Sequence, residues 1–144
     1  NFVRAAIAYP GSKPDLLVER VLASVTSRTK LAFISHITSA TSLIFPVAPI
    51  LAELNRRGID TVLDGAHSVG QMQVDLAALA PTYFIGSGHK WLSAPKGTGF
   101  LCVRPDRQDK FRRTRCGLIA HSSCATLTTW ARPTTPRFSR SPTP

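Results

Sequence analysis

The stretch "IDTVLDGAHSVGQMQVDLAALAPTYFIGSGHK", residues 59–90, contains two short apolar runs, each of which ends in a glycine turn. The runs "IDTVLDG" and "TYFIGSG" are typical of strands, and a short helix is predicted between them, around Asp75 to Leu79. A strand, a helix and a second strand in this order predict a parallel βαβ unit.

The flanking segments continue the same alternation. Upstream, "KLAFISH" (30–36) predicts a buried strand, and apolar stripes predict helices in "PDLLVERVLASVTSRT" (14–29) and "PVAPILAELNRRG" (46–58). Downstream, "GTGFLCVR" (97–104) predicts a fourth strand. We therefore expect an α/β fold that has a largely parallel sheet with flanking helices.

The charge of the chain is unevenly distributed. The formal net charge is +10, but through Val103 nine basic residues accompany six acidic ones, and from Arg104 onward nine accompany two. After about Arg113 the apolar periodicity stops, and Arg, Pro, Ser and Thr dominate. We predict a folded unit over residues 1–113 and a disordered basic tail over 114–144; one hypothesis is that this tail is read out of frame.

Composition narrows the class of protein. No run approaches the ~20 apolar residues of a membrane-spanning helix, so we expect no membrane partner. Cys102, Cys116 and Cys124 form neither a CxxC pair nor a zinc pattern, which favours reduced cysteines and a cytoplasmic location. A nucleic-acid-binding protein is a minor alternative, because only Trp130 and Phe138 interleave with the arginines of the tail.

Polar clusters follow three of the predicted strands. They are "SHITSAT" (35–41), "DGAH" (64–67) and "SGHK" (87–90). Because ligands of open α/β sheets bind at the carboxyl ends of the strands, we expect these clusters to meet at one edge.

Lys90 and Asp64 are the main candidate site residues. Lys90 is either a solvated turn lysine or an amine that the preceding strand and Trp91 partly desolvate, which would make it a nucleophile. Asp64 is either a helix N-cap or a carboxylate that holds a protonated ring nitrogen or a metal. His36 is interpreted as a satisfied buried histidine at a strand end.

Several familiar sites do not match the sequence. "GAHSVGQM" lacks the Lys and Ser/Thr of a phosphate-binding P-loop, and no GxGxxG opens a helix. His67 and His89 have no third ligand at zinc spacing, so we expect no metal. What remains is a lysine amine, a carboxylate and phosphate donors such as Ser87, which is the set that pyridoxal 5'-phosphate requires.

The segments "DGAHSVGQMQVDL" (64–76) and "GSGHKWLSAPKGTGFLCVR" (86–104) resemble the class V aminotransferase family of fold-type I pyridoxal-phosphate enzymes. The resemblance runs from about Asp15 to Arg113, and "SHITSAT" followed by "FPV" is most similar to the isopenicillin N epimerase-like branch. It implies that residues 1–113 are a fragment of the large, cofactor-binding domain.

The resemblance also implies roles for residues near the cofactor ring. Lys90 matches the lysine that forms the Schiff base with the cofactor, and Asp64 matches the carboxylate that pairs with the pyridinium nitrogen. His67 occupies a position, often Gln or His, that lies against the ring and its phenolic oxygen.

Further positions are implied around the phosphate and the phenolic oxygen. Ser87 and His89 match a phosphate-binding pair. Thr38 and Ser39 stand where cysteine desulfurases carry two asparagines, so their role near the phenolic oxygen departs from the family pattern.

The implied function is an enzyme that acts on an amino acid or an amino-acid-derived amine, with an epimerase-like or aminotransferase-like outcome. The resemblance also implies a homodimer in the full-length form. The family's upstream segment and its C-terminal small domain are not matched, so the alternative is a truncated, non-catalytic fragment. None of the three cysteines matches the catalytic cysteine of desulfurases, so desulfurase activity is not expected.

Overall fold

Four strands form one mixed sheet in the computed structural model, which describes residues 2–7, 13–110, 118–121 and 124–127. The strands β1 (Leu31–Ser35), β2 (Asp60–Asp64), β3 (Tyr83–Ser87) and β4 (Gly99–Val103) lie in the order β1-β2-β3-β4. The pairs β1–β2 and β2–β3 are parallel, whereas β4 runs antiparallel to β3. The predicted largely parallel sheet is therefore confirmed.

Among the described residues, three α-helices accompany the sheet: α1 (Pro14–Ala23), α2 (Val47–Arg56) and the short α3 (Leu76–Leu79). A 3₁₀ helix (Pro105–Lys110) follows β4. Asp75 caps α3 by accepting the backbone N–H groups of Ala77 and Ala78, at 2.9 and 3.0 Å. None of these helices, within the part of the chain that the structure describes, is long and apolar enough to cross a bilayer.

Helix α1 ends six residues before the end of the predicted segment 14–29. The Ser24 hydroxyl donates to the carbonyl of Val21 at 2.6 Å, and the Thr29 hydroxyl accepts the N–H of Thr26 at 3.0 Å. Such short hydroxyl side chains offer the backbone an alternative to helical bonding. The Ser/Thr cluster therefore ends the helix although the apolar stripe continues.

The core lies between α2 and one face of the sheet. Register pairs Ile34 with Leu63, and Leu63 with Phe84, so these three side chains share that face. The buried cluster consists of Ile34, Val47, Ile50, Leu51, Leu54, Ile59, Leu63 and Phe84. Burial of this apolar surface is the main stabilising contribution.

The opposite face of β1 is exposed. Leu31 and Phe33 point away from the core and are 54% and 61% exposed. The prediction of a buried strand therefore holds for one face of β1 and is wrong for the other, among the described residues. An apolar run alone does not distinguish one covered face from two.

Two buried threonines tie β2 to the start of β3. The N–H of Thr61 donates to the Thr82 hydroxyl at 3.0 Å, and the N–H of Thr82 donates to the Thr61 hydroxyl at 2.9 Å. Both residues are 0% exposed. These reciprocal bonds fix the register of β2 and β3, and this register decides which residues lie side by side at the carboxyl ends of the two strands.

The turn after β2 lies directly on the core. A Cβ atom at Gly65 would collide with the ring of Phe84, so the backbone approaches the ring as closely as only glycine permits. The turn that follows Asp64 is therefore held against a buried side chain.

Two short strands, β5 (Leu118–His121) and β6 (Cys124–Leu127), pair antiparallel within the segment predicted as a disordered tail. The other residues of 114–144 lie outside the described residues, and the division at residue 113 stays a prediction. Cys102 of β4 is disulfide-bonded, so the expectation of reduced cysteines is wrong at this position.

Replacing Thr82 with valine should lower the free energy of unfolding by about 1–3 kcal/mol, because the buried N–H of Thr61 loses its acceptor. The matched control is Thr26→Val. This change also removes a hydroxyl that accepts a backbone N–H, but that N–H, of Arg28, is exposed to water. The control should change stability by less than about 0.5 kcal/mol. Urea unfolding followed by circular dichroism measures both, and equal losses would contradict the role assigned to the buried pair.

Candidate functional site

The carboxyl ends of the three parallel strands lie side by side. Register pairs Ser35 with Asp64 and Asp64 with Ile85. Beyond the strands, the N–H of His36 donates to the Asp64 carbonyl at 2.9 Å, and the N–H of Gly65 donates to the Ile85 carbonyl at 2.8 Å. The three polar clusters therefore begin at one edge of the sheet, as the sequence predicts.

Lys90 and His67 contact each other across two of these clusters. The distance between Lys90 Nζ and His67 Nε2 is 3.0 Å. A lysine ammonium has donors only, so His67 Nε2 accepts and the ring proton lies on Nδ1. This contact links Lys90, in the loop after β3, to His67, in the turn after β2.

The surroundings of Lys90 are open. Its side chain is exposed, and the neighbouring Trp91 and Leu92 are 52% and 51% exposed. Of the two alternatives for Lys90, desolvation by these neighbours is therefore wrong for the described residues, and the exposed turn lysine is confirmed. A hydrogen-bond partner, not burial, distinguishes this lysine.

Ser87 and His89 form a second linked pair. The Ser87 hydroxyl lies 3.3 Å from His89 Nδ1, and the Thr98 carbonyl lies 3.2 Å from the same nitrogen. Because a carbonyl only accepts, His89 Nδ1 carries a proton. In the neutral ring Nε2 is then an acceptor, so His89 donates to an anion from Nε2 only as an imidazolium.

The Thr98 carbonyl also holds the backbone of this loop. It accepts the N–H of Gly88 at 2.9 Å, and the Thr98 hydroxyl donates to the Pro95 carbonyl at 2.7 Å. Ser87 is 7% exposed, so its hydroxyl is fixed at the buried end of β3. The sequence singled out Ser87 and His89 but gave no sign of the part played by Thr98, which lies nine residues beyond His89.

Asp64 is half-buried at the end of β2. Its Oδ1 accepts the N–H of Ala66 at 3.0 Å, which is an Asx-type turn. The residues that follow form turns rather than a helix, and the capped helix is α3 with Asp75. The alternative of Asp64 as a helix N-cap is therefore wrong, although its carboxylate does organise the local backbone.

His36 is buried beside Asp64 and is 5% exposed. Its N–H and carbonyl are both bonded, but its Nδ1 has no hydrogen-bond partner among the described residues. Burial lowers the pKa of the ring because desolvation disfavours the charged form. The interpretation of a fully satisfied histidine is therefore wrong for the side chain. The alternation that places Ile34 in the core also places His36 on that face.

Thr38 and Ser39 lie in the turn after β1. The Thr38 hydroxyl lies 2.6 Å from the Thr41 hydroxyl and accepts the N–H of Leu43 at 2.9 Å. Ser39 is exposed. No hydrogen bond among the described residues connects either side chain with Lys90 or His67, so the structure gives them a role in shaping the turn.

Other kinds of site have less support among the described residues. Within the described ranges, no group of three or more His, Cys, Asp or Glu side chains is arranged to hold a metal ion. A shallow depression lined by Thr26, Lys30 and Gly58 lies at the amino-terminal ends of β1 and β2. The polar cluster at the carboxyl ends is therefore the candidate site.

Comparisons with known proteins agree on one family. The chain matches the family described as Aminotransferase class-V over residues 5–138. It is 47% identical over 98 residues to isopenicillin N epimerase of Amycolatopsis lactamdurans, which covers 68% of this chain and 25% of that protein. It is 42% identical over 104 residues to isopenicillin N epimerase of Streptomyces clavuligerus, covering 72% of this chain and 26% of that protein.

Solved structures show the same fold. A cystine C-S lyase in complex with its product, cysteine persulfide, superposes with a TM-score of 0.64 and 25% sequence identity. That match covers 78% of this chain and 32% of the lyase. The chain thus spans about a quarter of the length of the curated relatives it matches. Since the family match extends over most of its residues, the chain belongs to the class V aminotransferase family.

Proposed function

We propose that this chain forms the lysine-bearing part of the cofactor site in a pyridoxal-phosphate-dependent enzyme that acts on an amino acid or a related amine. Class V aminotransferase-family enzymes depend on this cofactor. The observation that carries the proposal is the contact of 3.0 Å between Lys90 Nζ and His67 Nε2, at the sheet edge where Asp64 and Ser87 also lie.

The residues at this edge fit the chemical needs of the cofactor. An aldehyde needs an amine, which Lys90 provides in an exposed position. A protonated ring nitrogen needs a carboxylate, which Asp64 provides while its Oδ1 is anchored to the N–H of Ala66. A phosphate needs donors, which the Ser87 hydroxyl provides, together with His89 when its ring is an imidazolium.

The remaining candidate residues have less direct support. His67 would lie against the ring and its phenolic oxygen. Thr38 and Ser39 stay proposals, since the Thr38 hydroxyl already serves the turn through Thr41 and Leu43. When bound, the cofactor supplies an electron-withdrawing ring that stabilises negative charge at the substrate Cα.

The work of the chain itself is to hold groups and to move a proton. Asp64 would keep the ring nitrogen protonated, and Ser87 would orient the phosphate. Once a substrate amine has displaced Lys90, the freed Nζ of Lys90 would take a proton from Cα or deliver one to it. The names of the two similar epimerases support an epimerase-like outcome, in which a proton is removed from one face of Cα and another is delivered to the opposite face.

Two broader expectations stay proposals. A homodimer of the full-length protein is inferred from the family resemblance. The disulfide at Cys102 counts against a cytoplasmic location, because disulfides are rare in that compartment.

Lys90→Ala should abolish the visible absorption band of lysine-bound cofactor when the chain is titrated with pyridoxal 5'-phosphate. The matched control is Lys96→Ala, an exposed lysine in the same loop, which should keep the band. A band that persists in Lys90→Ala would assign the covalent role to another lysine. No band in the wild-type chain would contradict cofactor binding and favour the non-catalytic alternative.

Asp64→Asn should raise the Kd for pyridoxal 5'-phosphate about tenfold or more. The amide keeps an oxygen for the N–H of Ala66 but loses the charge, and a hydrogen bond to a charged group contributes about 1.5–3 kcal/mol. Asp75→Asn is the control, because that residue plays a similar local role at the N-terminus of α3. Equal Kd values for all three proteins would show that Asp64 does not meet the ring nitrogen.

A further inference from the structure

We propose that the depression at the amino-terminal ends of β1 and β2 binds a small anion that carries a phosphate group. This depression lies at the opposite end of the sheet from Lys90, and the proposed function does not involve it. Its volume is about 290 Å³, close to the lower limit of about 300 Å³ for small-molecule sites. The size therefore favours a small ligand.

Hydrogen-bond donors without acceptors line the depression. Among the described residues, neither the N–H nor the hydroxyl of Ser27 makes a hydrogen bond, and the Lys30 ammonium has no hydrogen-bond or ion-pair partner. The carboxylate of Asp60, at the start of β2, pairs with Arg107 at 2.9 Å instead. An amide, a hydroxyl and an ammonium together suit a ligand that has several acceptor oxygens.

Arg57 brings a guanidinium to the same depression. Its Nε donates to Glu53 at 2.7 Å, and Arg56 donates to the same carboxylate at 2.7 and 2.8 Å. The hydrogen bonds from Arg56 and Arg57 lower the pKa of Glu53 to about 2, so one ionised carboxylate is shared between two cations. No described residue accepts a hydrogen bond from the two terminal nitrogens of Arg57, which are therefore available to a ligand.

The charge around the depression is positive. Four cations lie in the two connections and the adjoining end of α2, and one carboxylate accompanies them; these residues are Arg28, Lys30, Arg56, Arg57 and Glu53. The C-termini of α1 and α2 also lie here, and each adds about half a negative charge. An excess of about two positive charges remains, which favours an anion over a cation.

Hydrogen bonds hold the walls of the depression in place. The N–H of Thr26 donates to the Thr29 hydroxyl at 3.0 Å, and the N–H of Arg28 donates to the Thr26 hydroxyl at 3.3 Å. The N–H of Asp60 donates to the Lys30 carbonyl at 3.2 Å, which joins the two connections where the sheet begins. A wall that is already ordered lowers the entropic cost of binding.

The test titrates the ¹⁵N-labelled chain with inorganic phosphate and follows the backbone amide signals by NMR. We expect the signals of Ser27 and Lys30 to shift and to saturate. Sodium chloride at equal ionic strength is the control for general screening, and it should give no saturating shift at these positions. The signals of Gly88 and His89 report phosphate at the candidate cofactor site separately, so the two sites succeed or fail independently.

Lys30→Ala should raise the Kd for phosphate, measured at the Ser27 amide, about threefold or more, because an exposed cation that contacts the ligand is lost. The matched control is Lys13→Ala, which removes the same charge from an exposed residue at the start of α1. The control should leave the Kd nearly unchanged. Absence of a saturating shift at Ser27 and Lys30 in the wild-type chain, or equal Kd values for the two variants, would overturn the proposal.

Two sources supply this chemistry, namely the free ion and a phosphate ester. O-phosphoserine, titrated in the same way, distinguishes them. A lower Kd than that for inorganic phosphate would assign the site to an ester, and an equal or higher Kd would assign it to the free ion.

Discussion

The parallel pairing of β2 with β1 on one side and with β3 on the other is the constraint on which the candidate site depends. The reciprocal bonds between Thr61 and Thr82 fix the register of β2 and β3 near the amino-terminal ends of the two strands. Just past the carboxyl end of β2, the N–H of Gly65 donates to the Ile85 carbonyl and keeps the same register. A slip of one residue would turn Asp64 to the opposite face of the sheet. The chemistry of this edge is thus a consequence of strand register rather than of any single loop.

Much of this arrangement could be predicted from local sequence. Apolar periodicity identified the four strands, α2 and α3, because each element alternates or repeats within a few residues. The convergence of three polar clusters followed from parallel topology alone. The antiparallel β4 also had a signal, since the connection from Ser87 to Gly99 is too short for the usual helical crossover.

The remaining features depend on contacts between distant residues. His67 and Lys90 are 23 positions apart, and no local pattern indicates that their side chains meet at 3.0 Å. The role of the Thr98 carbonyl is likewise invisible in sequence, because any residue carries a carbonyl. The sequence left open whether Lys90 is exposed or partly desolvated, because it does not show whether large apolar neighbours such as Trp91 cover the lysine in space.

The exposed side of β1 has a consequence for how the molecule behaves in water. The exposed side chains of Leu31, Phe33 and Ile85 lie on this one face of the sheet and form an apolar strip, which borders Asp64, the register partner of Ile85. Parallel sheets are ordinarily covered on both faces, and exposed apolar strips favour association. At high concentration the chain alone is therefore expected to self-associate through this strip. A cover over it would bury more apolar area while leaving α2 and its core undisturbed.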